Sequence, residues 1–307
     1  MKRIALLIKE TPFVEDDNFL RFLPALKERG YGVDILFVDT LRLSNNRVEA
    51  SGCLDVSHLA KGDPWPTSMS KVLDHDLIWL LGLGERATFL DKFQLLYVVS
   101  RTMTLINSTD AIMHLKSKYL LAAQDVFQVP ETFADTKADH LADIITRKGG
   151  DWILKPPAGS LGQDVYRVRS DDKNIHDLME RIFKGSTGYA MLQRYLPEIE
   201  QGEKRVLMAG GRVISQYRRL AESGQTTNLA QGAIAEACAL SGEEQALCER
   251  LAGYLMREGG WFCGVDLAFP WLIEVNVINP GGIVTIDGLT GRDWSPEVVN
   301  SVLANMP

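Results

Sequence analysis

Gly264-Val265-Asp266-Leu267-Ala268-Phe269 and Trp271-Leu272-Ile273-Glu274-Val275-Asn276-Val277 read as two apolar strands of a hairpin about Pro270. Acidic residues interrupt both runs. A carboxylate in an apolar strand is costly unless it is paired or holds a metal. Alternate side chains of a strand share a face, so Glu274 and Asn276 lie together, with Ile273, Val275 and Val277 opposite. Asp266 on the neighbouring strand can face the same space. Three oxygen-bearing side chains on one sheet face suit Mg²⁺, a hard cation that usually keeps phosphate contacts. The plainer alternative is a solvated polar face, and the apolar flanks of both strands argue against it.

Working backward, Trp152-Ile153-Leu154-Lys155-Pro156-Pro157 reads as a buried strand carrying a lysine into Ala158-Gly159-Ser160-Leu161-Gly162-Gln163-Asp164. A lysine there is a point charge that can reach a phosphate. Gly159 and Gly162 would let backbone N–H groups approach phosphate oxygens. A helix over 115–123, a strand over 190–196 and a long helix over about 243–258 complete this half. A helix of about 175–183 lies between them.

The first hundred residues carry a different rhythm. Ile4 to Ile8 is a strand, Asn18 to Arg29 a helix stopped by Gly30, and Tyr31 to Val38 a second strand. Strand, helix, strand implies a parallel sheet. Leu77 to Leu81 is a third strand, 89–101 a helix, and Thr104 to Asn107 a fourth strand. Residues 1–109 are expected to form one doubly wound domain. Gly82-Leu83-Gly84 lacks the third glycine of a dinucleotide fingerprint and follows the third strand, so it reads as a tight turn. A substrate contact at that strand end stays open.

Composition narrows the function classes. The chain has 307 residues, 46% hydrophobic and 24% charged, with net charge −7. This is a core-forming composition, and the acidic balance disfavours non-specific nucleic-acid binding. No run approaches the roughly 18 apolar residues that span a bilayer. The apolar stretch after Met1-Lys2-Arg3 ends at Lys9-Glu10, too short for a signal-peptide core. A cytoplasmic protein with reduced thiols at Cys53, Cys238, Cys248 and Cys263 is expected. His58, His75, His114, His140 and His176 show no metal-ligand spacing and read as structural or surface residues.

Several motifs in fixed order resemble bacterial glutathione synthetases. They are Ile153-Leu154-Lys155-Pro156 with its glycine loop, Gln193-Arg194-Tyr195-Leu196-Pro197 through Gly202-Glu203-Lys204-Arg205-Val206-Leu207, and Thr227-Asn228-Leu229-Ala230-Gln231-Gly232. Ile273-Glu274-Val275-Asn276-Val277 followed by Asn279-Pro280-Gly281-Gly282-Ile283 completes the set. The resemblance covers nearly the whole chain and is specific from about Asn107 onward.

It implies an ATP-grasp fold, α/β with α+β character toward the C-terminus, behind an N-terminal pre-ATP-grasp domain. The implied division is 1–109, 110–190 (central and lid) and 191–307 (metal-bearing). The implied activity is an ATP-dependent carboxylate–amine ligase that forms an amide through an acyl-phosphate, joining γ-glutamylcysteine to glycine. Lys118 and Lys155 would hold ATP phosphates beside Gly159 and Gly162. The backbone of Gln193, Tyr195 and Leu196 would read adenine, and Glu203 the ribose. Asp266, Glu274 and Asn276 would hold Mg²⁺, with Mn²⁺ as the alternative. Arg205, with Arg218 or Arg219, would face the acyl-phosphate and substrate carboxylate, and Asn228 would lie near phosphates and metal. Asn279, Gly281 and Gly282 would meet the amine substrate. The Gly159–Asp164 loop would close as a lid. The implied partners are amino acids or small peptides, without nucleic acid or membrane, and the family is often homo-oligomeric.

The substrate regions depart from that pattern. Gly82-Leu83-Gly84-Glu85-Arg86 stands where the family has Arg-Lys-Asp-Pro-Pro, Thr226-Thr227 where it has Arg-Gly, and Val284-Thr285-Ile286-Asp287 where it has Arg-Glu-Ile-Glu. A paralogue acting on another amino acid or peptide, or a non-catalytic nucleotide-binding protein, therefore stays open.

Overall fold

The computed structural model describes residues 2–306 except 57, 158, 160–163, 186–187, 222–228 and 230–231. The first sheet begins with β1 (Arg3–Ile8), helix α1 (Asn18–Glu28) and β2 (Gly32–Phe37). Asp17 accepts from the Asn18 N–H at 2.7 Å and caps α1. Phe19, Phe22, Leu23 and Leu26 recur at helical spacing and are buried. Gly30, at φ +77°, ends the helix as its position in the sequence predicts. Its N–H donates to Lys27 and that of Tyr31 to Leu26, which satisfies the last carbonyls.

The chain then departs from the simple alternation expected. β3 (Arg42–Ser44), β4 (Arg47–Cys53) and β5 (Met69–Val72) form antiparallel pairs before β6 (Leu77–Leu80). These strands are short and polar, with no apolar run to announce them. One signal was present: Asn45-Asn46 sits in a two-residue turn at φ +46° and +64°, the left-handed geometry of tight hairpins. Helix α2 (Phe89–Ser100) and β7 (Thr104–Ile106) follow. The sheet order is β3-β4-β2-β1-β6-β7, with β5 on β4 and parallel pairing among β1, β2, β6 and β7. Even-numbered Leu6 and Ile8 of β1 pack in one core with α1, while Ala5 and Leu7 pack with Phe93 and Leu96 of α2.

The expected helix over 115–123 is broken. α3 (Thr109–Leu115) and α4 (Tyr119–Ala123) are separated by Lys118, whose backbone is left-handed at φ +67°. The second sheet follows: β8 (Thr132–Asp135), β9 (Trp152–Lys155), β10 (Tyr166–Val168) and β11 (Ala190–Arg194), ordered β10-β9-β11-β8 and antiparallel. Helices α5 (Ala138–Lys148) and α6 (Ile175–Gly185) cover it through Leu141, Ile145, Met179 and Ile182.

The third sheet holds β12 (Glu203–Ala209), β13 (Arg212–Leu220), β14 (Ile234–Ala237), β15 (Phe262–Ala268) and β16 (Trp271–Asn276), ordered β14-β13-β12-β15-β16. Helix α7 (Gly242–Arg257) starts at a Ser241–Glu244 capping box and packs Leu247, Cys248 and Leu251 on one sheet face. Helices α8 (Ile283–Thr290) and α9 (Ser295–Asn305) join the opposite face to α1 and β1. β11 belongs to the second sheet, so the strands of the three sheets occupy 3–106, 132–194 and 203–276.

Three of the cysteines, Cys53, Cys248 and Cys263, are buried free thiols, and burial pushes Cys248 and Cys263 up to about 12. His75 is a buried structural histidine whose Nε2 meets Asp34 at 2.8 Å. Among the described residues no helix is long and apolar enough to cross a membrane.

Candidate functional site

Register gathers the charged side chains of the third sheet. Arg205 stands opposite Asp266 on β15 and Tyr217 on β13; Asp266 stands opposite Glu274; Glu203 stands opposite Arg219. Period-two alternation sends these side chains to one face and Lys204, Val206, Arg218 and Val265 to the face under α7.

Asp266 is the hub. Arg205 forks onto it, Nε to Oδ1 at 2.6 Å and Nη2 to Oδ2 at 3.1 Å. Arg219 Nη2 lies 2.6 Å from Oδ1 and also donates to Glu203. Asn276 Nδ2 donates to Oδ2 at 3.3 Å. Burial opposes ionisation of Asp266, but Arg205 and Arg219 outweigh it and hold the carboxyl below its ordinary range. Burial likewise works against the Arg219 charge, and Asp266 with Glu203 holds its pKa above the ordinary value.

The second sheet and the α3–α4 break supply lysines. Lys155 ends β9 and is buried, donating to Gln193 Oε1 at 2.8 Å. Burial pushes it down to about 8 although Glu274 pulls the other way. Lys118, also buried, donates to the Pro157 carbonyl at 3.2 Å and lies 3.3 Å from Glu274 Oε1. Lys116 donates to the Gly159 carbonyl at 3.5 Å. Five cationic side chains (116, 118, 155, 205 and 219) thus surround three carboxylates (203, 266 and 274), a balance that favours a polyanion. Asp266, Glu274 and Asn276 share a face; both Asp266 oxygens accept from Arg205, Arg219 or Asn276, so Glu274 is the carboxylate most open to a hard cation. Among the described residues no three His, Cys, Asp or Glu side chains are placed to hold a metal ion by themselves, so a cation here would take its remaining ligands from phosphate or water.

The sequence model for the prokaryotic glutathione synthetase ATP-grasp domain matches residues 119–291, more than half of the chain. The chain belongs to the prokaryotic glutathione synthetase ATP-grasp family. A glutathione synthetase from Neisseria meningitidis serogroup A is 31% identical over 252 residues, 75% of this chain and 78% of that one. A glutathione synthetase from Nostoc sp. is 29% identical over 211 residues, 68% of this chain but 64% of the relative's length. The matched stretch therefore falls short of two thirds of that relative. The crystal structure of D-cycloserine synthetase DcsG shares the fold at TM-score 0.66 and 14% identity, with 97% of this chain and 98% of that chain covered.

Within this ATP-grasp fold the residues expected at a ligand are distributed unevenly. Lys118, Lys155, Glu203, Arg205, Arg219, Asp266, Glu274 and Asn276 come together as described. Gln193 contributes through its side chain, holding Lys155 and donating to Thr132 Oγ1 at 3.2 Å, while its backbone pairs within the sheet. In the expected adenine hinge, the Tyr195 N–H donates to Asp151 O and the Leu196 carbonyl accepts from Ile199. Gly159 turns its carbonyl toward Lys116 and Lys118. Gly162 and Asn228 lie outside the described residues.

Two expected substrate residues are corrected. Arg218 points away from Asp266 and pairs with Glu236 at 2.7 Å, since adjacent strand residues face opposite ways. Arg218→Ala is therefore expected to change kcat and KM by less than about threefold, typical of an exposed pair; steady-state kinetics checks this. Asn279 donates to Asp17 Oδ2 and accepts from Asn18 Nδ2, both at 2.7 Å. Its carboxamide clamps the loop to α1. Gly281 receives Arg205 Nη1 on its carbonyl at 3.3 Å. Gly282, at φ +136°, opens α8, and a Cβ there would lie 3.1 Å from the Tyr217 ring. Lys116 was missed by the sequence reading.

Proposed function

We propose that this chain is an ATP-dependent ligase that joins a carboxylate to an amine through an acyl-phosphate, with γ-glutamylcysteine and glycine as the first pair to test. The observation that carries this reading is the meeting of Lys118 with Glu274 at 3.3 Å, which sets the lysine cluster against the acidic sheet face. Family membership supports it. In the reaction a substrate carboxylate oxygen bonds to the γ-phosphorus and the bond to the ADP oxygen breaks. The amine nitrogen then attacks the acyl carbon and phosphate leaves, a proton going from the amine to solvent. Lys118 and Lys155 bind the polyphosphate, and Arg205 and Arg219, locked by Asp266 and Glu203, form a rigid cationic shelf for the acyl-phosphate oxygens. Glu274, with Asp266 and Asn276 beside it, would hold Mg²⁺, which would supply charge neutralisation on the phosphates. Asn279 would act by its backbone, with Gly281 and Gly282 presenting main-chain groups to the amine substrate. Chain segments 1–109, 110–190 and 191–307 would act as substrate, lid and metal-bearing units of a cytoplasmic enzyme.

A different amino acid or small peptide as substrate is the second reading. It is favoured by Arg218, which pairs with Glu236 away from Asp266, and by Val284, which stands where the family has an arginine. Phosphate release from ATP and Mg²⁺ across acyl-donor and amine pairs separates the two. Release with γ-glutamylcysteine and glycine supports the first, and release only with another pair moves the substrate. No release with any pair overturns the ligase reading.

Lys155→Met is expected to weaken ATP binding about 10- to 100-fold, the loss of one or two charge-assisted contacts. It should not lower the Tm of the ligand-free protein, because a buried ammonium costs stability that methionine does not. Calorimetric titration and thermal melts read the two effects.

A further inference from the structure

Helix α2 is apolar on both faces. Phe93, Leu96 and Val99 enter the core, yet Leu90, Tyr97 and Val98 on the other side are 60%, 49% and 55% exposed. At about 100° per residue, Leu90, Gln94, Tyr97, Val98 and Arg101 form one outward stripe along the helix. The solvent face of a helix is ordinarily polar, and an exposed apolar stripe rimmed by charge marks an interaction surface. The rim here is asymmetric. Asp91 lies in the first turn and Arg101 just past the last, and among the described residues neither side chain pairs within the chain. Beside Val98 a recess of about 240 Å³ opens between α2 and the antiparallel strands β4 and β5. Val98, Thr102 and Met103 line one side of it, and Val48, Val72 and Leu73 the other.

This face carries its own complement. A twofold axis near Gln94 would run a second α2 antiparallel to the first. Leu90 of each copy would then lie beside Val98 and the recess of the other. The Asp91 end of each helix would meet the Arg101 end of the other. A closed dimer requires such reciprocity, in which residue i meets j and j meets i. We propose that the chain forms a twofold dimer through α2, with Tyr97 near the centre of the contact and Asp91–Arg101 pairs at its rim. The occupant is a second copy of this chain because acid and base, apolar knob and recess all lie on one surface. The inference does not depend on the ligase reading.

Analytical ultracentrifugation of the whole chain at micromolar concentrations tests it. The parent is expected at twice the chain mass. Tyr97→Asp sets a charge in the contact without touching the core, and it should weaken association at least about 100-fold, the loss of an aromatic anchor. Asp91→Arg and Arg101→Asp each turn two symmetry-related pairs repulsive, and each should weaken association about tenfold. Both exchanges in one chain restore the pairing in reverse and should return association to within about threefold of the parent. If Tyr97→Asp fails to fold by circular dichroism, Gln94→Arg, which sets like charges face to face at the axis, takes its place. A parent at the chain mass, a dimer indifferent to the central substitution, or no recovery in the double exchange overturns the proposal.

Discussion

Asp266→Ala is expected to destabilise the protein by about 3–5 kcal/mol, the usual consequence of removing one member of a buried ion pair. Asp266 receives two guanidinium groups, Arg205 at 2.6 and 3.1 Å and Arg219 at 2.6 Å, and all three residues are buried. Alanine removes the carboxylate that Arg205 and Arg219 share and leaves Arg219 on Glu203. At roughly 2–4 °C per kcal/mol for a large domain, the Tm should fall by about 6–20 °C. Asp266→Asn keeps the shape and one set of acceptors, so its loss should be smaller. A Tm within a degree or two of the parent would show that the arginines do not depend on this carboxylate. The consequence for function is that Asp266 variants lose fold and activity together, so they are poor reporters of metal binding.

Glu274→Gln separates the two. Glu274 is the carboxylate of the sheet face that no arginine is seen to hold; its described partner is Lys118 at 3.3 Å, and its side chain is 23% exposed. Its removal should leave the Tm nearly unchanged, as for other partly exposed pairs. Turnover should fall by at least about 10²- to 10³-fold, because several kcal/mol of transition-state charge stabilisation goes with the cation it positions. Nucleotide binding without Mg²⁺ should survive or tighten, since a negative charge leaves the lysine cluster. Titration of activity against Mg²⁺ should show a higher requirement. Parent-like turnover with an unchanged Mg²⁺ requirement would remove Glu274 from the site.

The acidic hairpin was legible because period-two alternation needs only local sequence. Glu274 and Asn276 share a face whatever they pair with, and the apolar flanks mark the strands as buried. The choice between Arg218 and Arg219 was not legible. It depends on which residue of β13 stands opposite Glu203, a register decided by pairing across the sheet and by the irregularity between Leu207 and Met208. Asn279 was misjudged for a related reason: its partners Asp17 and Asn18 lie more than 260 residues away in sequence. Lys116 escaped because a helix drawn through 115–123 turns it away from Lys118, and a left-handed lysine has no sequence signature comparable to glycine. The polar strands β3 to β5 lack the apolar run on which strand recognition depends.

Calorimetric titration of the parent protein with ATP, in the presence and absence of Mg²⁺, meets the central claim head on: that the β15–β16 face and the lysines opposite it hold a metal-bound triphosphate. The account predicts saturable heat at one site per chain, tightened by Mg²⁺ in the parent and no longer tightened by it in Glu274→Gln. No heat with either, or an Mg²⁺ effect that persists in Glu274→Gln, would contradict it.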